Sequence, residues 1–456
     1  MRYQVHLLSN APMSYQQISI FRPFKGLTLF ILFTILTGCQ HLRFPDFDFA
    51  SRRASKPAPT IETLESHDFR IDPDSDLVGL PAVLISEPGN TLPDIARHYG
   101  LGFNDISRAN PDLDVWVPKP DTRVVLPLQF VLPESQRRGI VLNLANMRLF
   151  YFPKAGKTLE SRVMTYPIGI GRQGWSTPTG KARIIQKKAN PTWTVPASIL
   201  REHRLNGDPL PRVVKAGPDN PLGQYAMRLS MPSYLIHGTN KPYGVGMRIS
   251  HGCVRLYPEN IERLFEHVSV GTDVFIINEP YLVGWWRNML YVEAHQPLDE
   301  SKKSKTKLKK ELIRKLKKEA KKTVTEVDWE KVDATIEQAR GIPTPILKYT
   351  RRLEDLTKHW DIIASPSHFY GKPPVPPIGR HDWSAITGSF DNEIDAQRMA
   401  EILTHQGPSI PAHISVSSGR YEVIVGPYKT QSDMEKAKRR LSREFEIEAR
   451  IIQPII

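Results

Sequence analysis

His237 precedes Cys253 by 16 positions, with glycines at 238, 244, 246 and 252 in and around the intervening loop. That spacing is too long for one helical face and suits two neighbouring strands joined by a loop, so this stretch is constrained to a sheet. Glycines let such a loop take positive φ and bring backbone close to a ligand. A second histidine, His251, stands within Ser250-His251-Gly252-Cys253. A thiol attacks a carbonyl carbon as its thiolate, and an imidazole that takes its proton supplies one near neutral pH. The pattern reads as a cysteine acyl-transfer site. A buried structural cysteine beside two unrelated histidines is the competing reading, and it leaves the glycine-rich approach unexplained.

The flanks support a β framework. Tyr234-Leu235-Ile236 reads as a buried strand that delivers His237, and Met247-Arg248-Ile249 as the approach to the cysteine turn. Pro258 to Phe265 has helix-start chemistry, and a helix this close behind Cys253 is expected to stabilise the thiolate through its dipole. Upstream, 140–144 and 147–152 are apolar runs joined at Ala145-Asn146, a hairpin signal; 162–168, 182–187 and 273–277 suggest further strands.

These segments resemble the L,D-transpeptidases of the YkuD or ErfK/YbiS type, whose signature is His-Gly followed after a loop by Ser/Thr-His-Gly-Cys. The resemblance rests on His237-Gly238-Thr239-Asn240 and Ser250 to Leu256, on Tyr166 to Gly171, and on Thr177-Pro178-Thr179-Gly180, and covers about 139–278. It implies a β-sandwich catalytic domain with Cys253 as nucleophile and His237 as general base and acid. It further implies Ser250, His251 and Gly252 around the oxyanion pocket, and substrate contacts from Gly238, Thr239, Tyr243, Gly244 and Arg255. Arg255 occupies a position where part of the family has Asn, which leaves its role open.

Composition divides the remainder. The chain has 456 residues, long enough for about three domains, and 39 prolines that indicate linkers between them. Arg22 and Lys25 precede an apolar run over 27–36 that is too short to span a bilayer and ends in Leu36-Thr37-Gly38-Cys39. This resembles a bacterial lipobox, which makes 1–38 a signal peptide, Cys39 a lipidation site and the cell envelope, at the outer membrane, the destination; Met13 is an alternative start. Polar, Pro-punctuated 39–80 reads as a tether. Cys39 and Cys253 are the two cysteines, so lipidation of the first leaves Cys253 a lone thiol in an oxidising compartment. No thiolate zinc site or HExxH spacing exists, and neither metal nor cofactor is expected.

Residues 81–133 predict strand, helix, helix, strand: 82–85, a helix capped by Thr91, a second helix over 103–109 stopped at Asn110-Pro111, and 123–126. This βααβ order resembles a LysM module, which implies binding of N-acetylglucosamine polymers; a spacer that has lost sugar binding is the alternative. Between 279 and 381 the chain reads as a basic helical and Pro-rich linker. Its 302–322 run carries eleven lysines and Arg314 against Glu311 and Glu319, which is +10 of the chain's formal +14. Leucines at helical spacing make that run an amphipathic helix that could rest on anionic lipid or acidic wall polymer, or a solvated spacer. Nucleic acid is disfavoured, because an exported chain does not meet it and no aromatic-interleaved motif accompanies the lysines.

Residues 382–456 predict strand 383–390, helix 393–406, strand 421–425, helix 432–444 and strand 447–452, an α+β ferredoxin-like arrangement. Thr387-Gly388-Ser389-Phe390 and Tyr421 to Tyr428 resemble a SPOR domain, which implies binding of denuded glycan strands. The whole is a multidomain chain expected to act on peptidoglycan stem peptides and glycan strands, passing an acyl group to another stem or to an envelope lipoprotein. A non-catalytic wall-binding scaffold and a thiol hydrolase are the alternatives.

Overall fold

A computed structural model describes residues 67–455, apart from 135–136, 155–160, 206, 300 and 302. The expected signal peptide, Cys39 and the tether up to residue 66 lie outside the described residues. Among the described residues no helix is long and apolar enough to cross a membrane.

Two strands, β1 (Asp68–Arg70) and β2 (Leu77–Gly79), lie in the stretch expected to be tether. The tether reading fails from His67 onward: β1 pairs antiparallel with a strand near residue 164, and Ile71 and Val78 are buried in a shared core. Three-residue strands are too short to carry an apolar period. The expected βααβ order follows as β3 (Ala82–Ile85), α1 (Leu92–His98), α2 (Phe103–Ala109) and β4 (Arg123–Leu126), with β3 and β4 antiparallel. Thr91 Oγ1 caps α1 by accepting from the Asp94 N–H at 3.1 Å. Asn110 ends α2 and pins it to β4, accepting from the Val125 N–H at 2.7 Å. β5 (Gln129–Val131) then pairs with β2.

The middle region contributes β6 (Gly139–Asn143), β7 (Arg148–Phe152), β8 (Arg162–Pro167), β9 (Ile170–Gly171), β10 (Gly180–Ala189), β11 (Trp193–Thr194), α3 (Ala197–Leu205) and β12 (Val213–Val214). It continues with β13 (Tyr225–Leu229), β14 (Leu235–His237), β15 (Arg248–Ser250), β16 (Val254–Arg255), α4 (Pro258–His267) and β17 (Asp273–Ile277). A nine-stranded sheet runs β1-β8-β7-β6-β17-β10-β13-β14-β16. Ile140, Leu142, Leu149 and Tyr151 enter a core with α4, while Val141, Phe150 and Phe152 on the opposite face join the core of the βααβ module. Burial on both faces explains why β6 and β7 read as unbroken apolar runs.

Residues 279–381 are not simply linker. β18 (Tyr281–Trp286) and β19 (Met289–Ala294) form a hairpin, followed by α5 (Lys305–Glu319), α6 (Trp329–Gln338), β20 (Thr344–Pro345) and α7 (Leu353–Lys358). Val283, Leu290, Val292, Leu312, Leu316, Val332 and Ile346 form their own core. The leucine stripe of the basic helix is therefore occupied by its own protein, and the helix cannot lay that face on a membrane.

The last region holds β21 (Trp383–Phe390), α8 (Glu393–Thr404), β22 (Ala412–Ser417), β23 (Arg420–Tyr428), α9 (Gln431–Phe445) and β24 (Arg450–Ile452), in sheet order β22-β23-β21-β24. The sequence reading lacked β22; its residues alternate apolar and polar only over Ala412, Ile414 and Val416, and Val416 is exposed.

Candidate active site

Parallel pairing of β14 with β16 sets Ile236 opposite Val254 and His237 opposite Arg255. Extending the register by one, just ahead of β16, puts Cys253 opposite Leu235, so Cys253 and His237 project from the same face, diagonal neighbours about 7 Å apart at Cα. The Cys253 thiol donates to Ser233 O at 3.7 Å, and His237 Nδ1 donates to Gly238 O at 2.6 Å. The two side chains are neighbours without a mutual hydrogen bond. Because the carbonyl fixes the proton on Nδ1, Nε2 is left as the basic nitrogen.

Electrostatics keep both groups neutral. Burial, with the Arg255 charge second, lowers His237 to about 3, against the pull of the Gly238 and Leu222 carbonyls. Burial pushes the Cys253 thiol up, opposed by the Leu235 backbone and Arg255. A preformed thiolate is therefore not the resting state. Between Cys253 and the first residue of α4 lie β16 and two further residues.

The cysteine turn is tied internally. Ser250 Oγ accepts from the Gly252 N–H at 3.1 Å and donates to Cys253 O at 2.6 Å. Thr177 Oγ1 donates to Gly252 O at 2.8 Å and accepts from the Gly171 N–H at 3.1 Å, which gives the Thr177-Pro178 motif its purpose. Gly252 sits at φ +103°, and a Cβ there would lie 3.0 Å from Tyr234 Cε1. Ser250 thus ties the turn together, and the Gly252 N–H is engaged within it.

His251 belongs to a cluster that sequence reasoning missed. Its Nε2 lies 3.2 Å from Glu202 Oε2 on α3 and 3.3 Å from an Arg172 guanidinium nitrogen, and its ring meets Trp175 edge-on at 4.9 Å. Glu202 pairs with Arg172 as well. Burial lowers His251 below its ordinary value, and the Glu202 charge only partly restores it. The only available signal was Pro196 ahead of the Ile199 and Leu200 pair, a helix start 50 residues from the turn.

Several residues expected to contact substrate also hold the scaffold. Thr239 Oγ1 accepts from the Lys241 N–H at 2.9 Å, and Gly238 donates its N–H to Tyr225 O at 3.0 Å. At Gly244 a Cβ would strike Ile249 Cδ1 at 2.2 Å. Tyr243 reaches Asp94 at 3.0 Å and Gly371 O at 2.9 Å, and its ring contacts His405 at 4.5 Å, so it joins four segments. The loop carrying it also meets α2, whose Phe103 N–H donates to Val245 O at 3.0 Å. Among the described residues no group of three His, Cys, Asp or Glu side chains is placed to hold a metal ion.

Fold and turn together set a cysteine and a buried histidine on one face of a sheet, and the comparisons with known proteins give the class of enzyme. The family profile described as the L,D-transpeptidase catalytic domain matches residues 137–276, and the SPOR domain profile matches 381–450. "Probable L,D-transpeptidase YbiS" of Escherichia coli is 45% identical over 228 residues, 49% of this chain and 73% of that one. "Probable L,D-transpeptidase YcfS" of the same organism is 44% identical over 222 residues, 48% of this chain and 68% of that one. "Probable L,D-transpeptidase ErfK/SrfK" of Salmonella typhimurium is 38% identical over 261 residues, 55% and 83%. The chain belongs to the L,D-transpeptidase family, and it carries a SPOR domain.

Proposed function

We propose that the protein works in the bacterial cell envelope, where Cys253 takes an acyl group from a peptidoglycan tetrapeptide stem and hands it to an amine. The observation that supports this best is the parallel β14–β16 register, which sets His237 and Cys253 side by side on one face. As the sulfur bonds to the stem carbonyl carbon, the thiol proton passes to His237 Nε2. The tetrahedral intermediate collapses, the terminal D-alanine leaves with that proton on its nitrogen, and a thioester remains. An amine from a second stem or a lipoprotein then attacks; His237 removes its proton and returns it to sulfur as the C–S bond breaks.

With the Gly252 N–H engaged, the Cys253 N–H is the oxyanion donor on the turn. Arg255 acts through its field, since it favours thiolate over thiol and neutral over charged imidazole. The βααβ module, as a LysM-like unit, and the SPOR domain bring glycan to the site, and Cys39 carries the lipid anchor.

Mass spectrometry after incubation with disaccharide-tetrapeptides tests the reading. A thioester adduct on Cys253, free D-alanine and new cross-linked dimers or protein-linked stems are expected. Release of D-alanine with water as the sole acceptor would make the protein a thiol hydrolase, and no reaction by folded protein would leave a wall-binding scaffold.

A further inference from the structure

The basic helix α5 has its apolar side sealed inside the protein by Leu308, Leu312 and Leu316. On the opposite side stand Lys307, Lys310, Arg314, Lys317 and Lys318, and Lys321 follows in the 3-10 turn after the helix, all exposed. At 100° per residue the five on α5 fall within an arc of roughly 100° centred opposite the leucines, along about 17 Å of axis. None of the six makes an ion pair with a described residue. The acids that could neutralise them are engaged: Glu311 pairs with Lys303 at 2.7 Å, and Glu319 with Lys322 at 2.6 Å and with the Trp285 indole N–H at 2.8 Å. Like charges three and four apart destabilise a helix, so the stripe persists at a cost that a facing anionic surface would relieve.

We infer that this cationic ridge is a docking surface for an anionic phospholipid bilayer, held at the headgroups by charge alone. Three observations select a bilayer over a soluble polyanion. The ridge runs along one side of a single helix, which presents its charges to one facing surface rather than around a strand. Its leucines are locked into the core with β18 and β19, so it rests on the headgroup layer without inserting. The chain leaving it presents Val324 fully exposed, an apolar contact at the end of the row. The inference is independent of the acyl-transfer reading, because no ridge residue belongs to the active site.

The test is sedimentation with vesicles, using residues 40–456, which keep every described residue and omit the apolar leader and Cys39. Binding to vesicles with 30% phosphatidylglycerol is expected at low salt, lost at high salt and absent on pure phosphatidylcholine. Lys310→Gln, Arg314→Gln, Lys317→Gln and Lys321→Gln combined should lower partitioning at least about ten-fold. A control of equal charge change, Lys119→Gln, Lys188→Gln, Lys215→Gln and Lys436→Gln, should lower it less than about three-fold. Equal loss in both variants would reduce the effect to net charge and overturn the inference. So would parent protein that binds polyphosphate or duplex DNA but not the anionic vesicles.

Discussion

The two glycine-flanked histidines sit in opposite environments. His237 ends a strand, is 3% exposed, and has a backbone carbonyl on Nδ1, so burial holds it neutral. His251 lies on the turn itself, half-buried, between a carboxylate, a guanidinium and an indole. One environment suits the base proposed for His237, and the other fixes the His251 ring. The difference teaches that a histidine's neighbours in sequence do not assign its task; the atoms that meet its two nitrogens do.

The sharpest way to break that contrast is to remove the groups that react. Cys253→Ser should lower turnover on the order of 10⁴-fold or more in the D-alanine release assay. His237→Gln should cost about 10³-fold in kcat/KM, with the folded state retained by circular dichroism. If His237→Gln kept near-parental rates, the base would be misassigned. Glu202→Gln and His251→Gln should each cost only about ten- to a hundred-fold, mainly in kcat, as expected for groups that position the turn. A Glu202→Gln loss that matched His237→Gln would erase the distinction.

Acid and base behaviour sharpens the comparison further. Because burial lowers His237 to about 3, the acid limb of kcat/KM should lie well below pH 6.5. The unfolded chain binds more protons than the native one between about 3 and 6.5, so this group makes stability fall as pH drops through that window. With the thiol pushed up, alkylation of Cys253 by iodoacetamide, in a Cys39→Ser background, should keep accelerating past pH 9. A plateau near pH 6 would instead reveal a thiolate–imidazolium pair. The smallest effect is structural: Thr177→Val strands the Gly171 N–H and should cost about 1–3 kcal/mol in denaturant unfolding while the chemistry persists.

Much of this was legible where a local signal coincided with a long-range one. The apolar runs of β6 and β7, the capped α1 and the 16-residue spacing of His237 and Cys253 all announced themselves. The β18–β19 hairpin did not, because its turn places Arg287 and Asn288 at φ 48° and 60° without the Asn-Gly pair that usually marks such a turn. Glu202 was invisible because its partner is set by tertiary folding of α3 against the turn. The scaffold partners of Tyr243 were invisible in the sequence because Asp94, Gly371 and His405 come from distant segments.

Tyr243 rides on the loop whose two ends lead to the base and the nucleophile, and it grips Asp94, which is fully buried against His405 at 3.0 Å. Separating the C-terminal domain from the βααβ module would therefore uncover a buried carboxylate and strip the His405 ring from Tyr243.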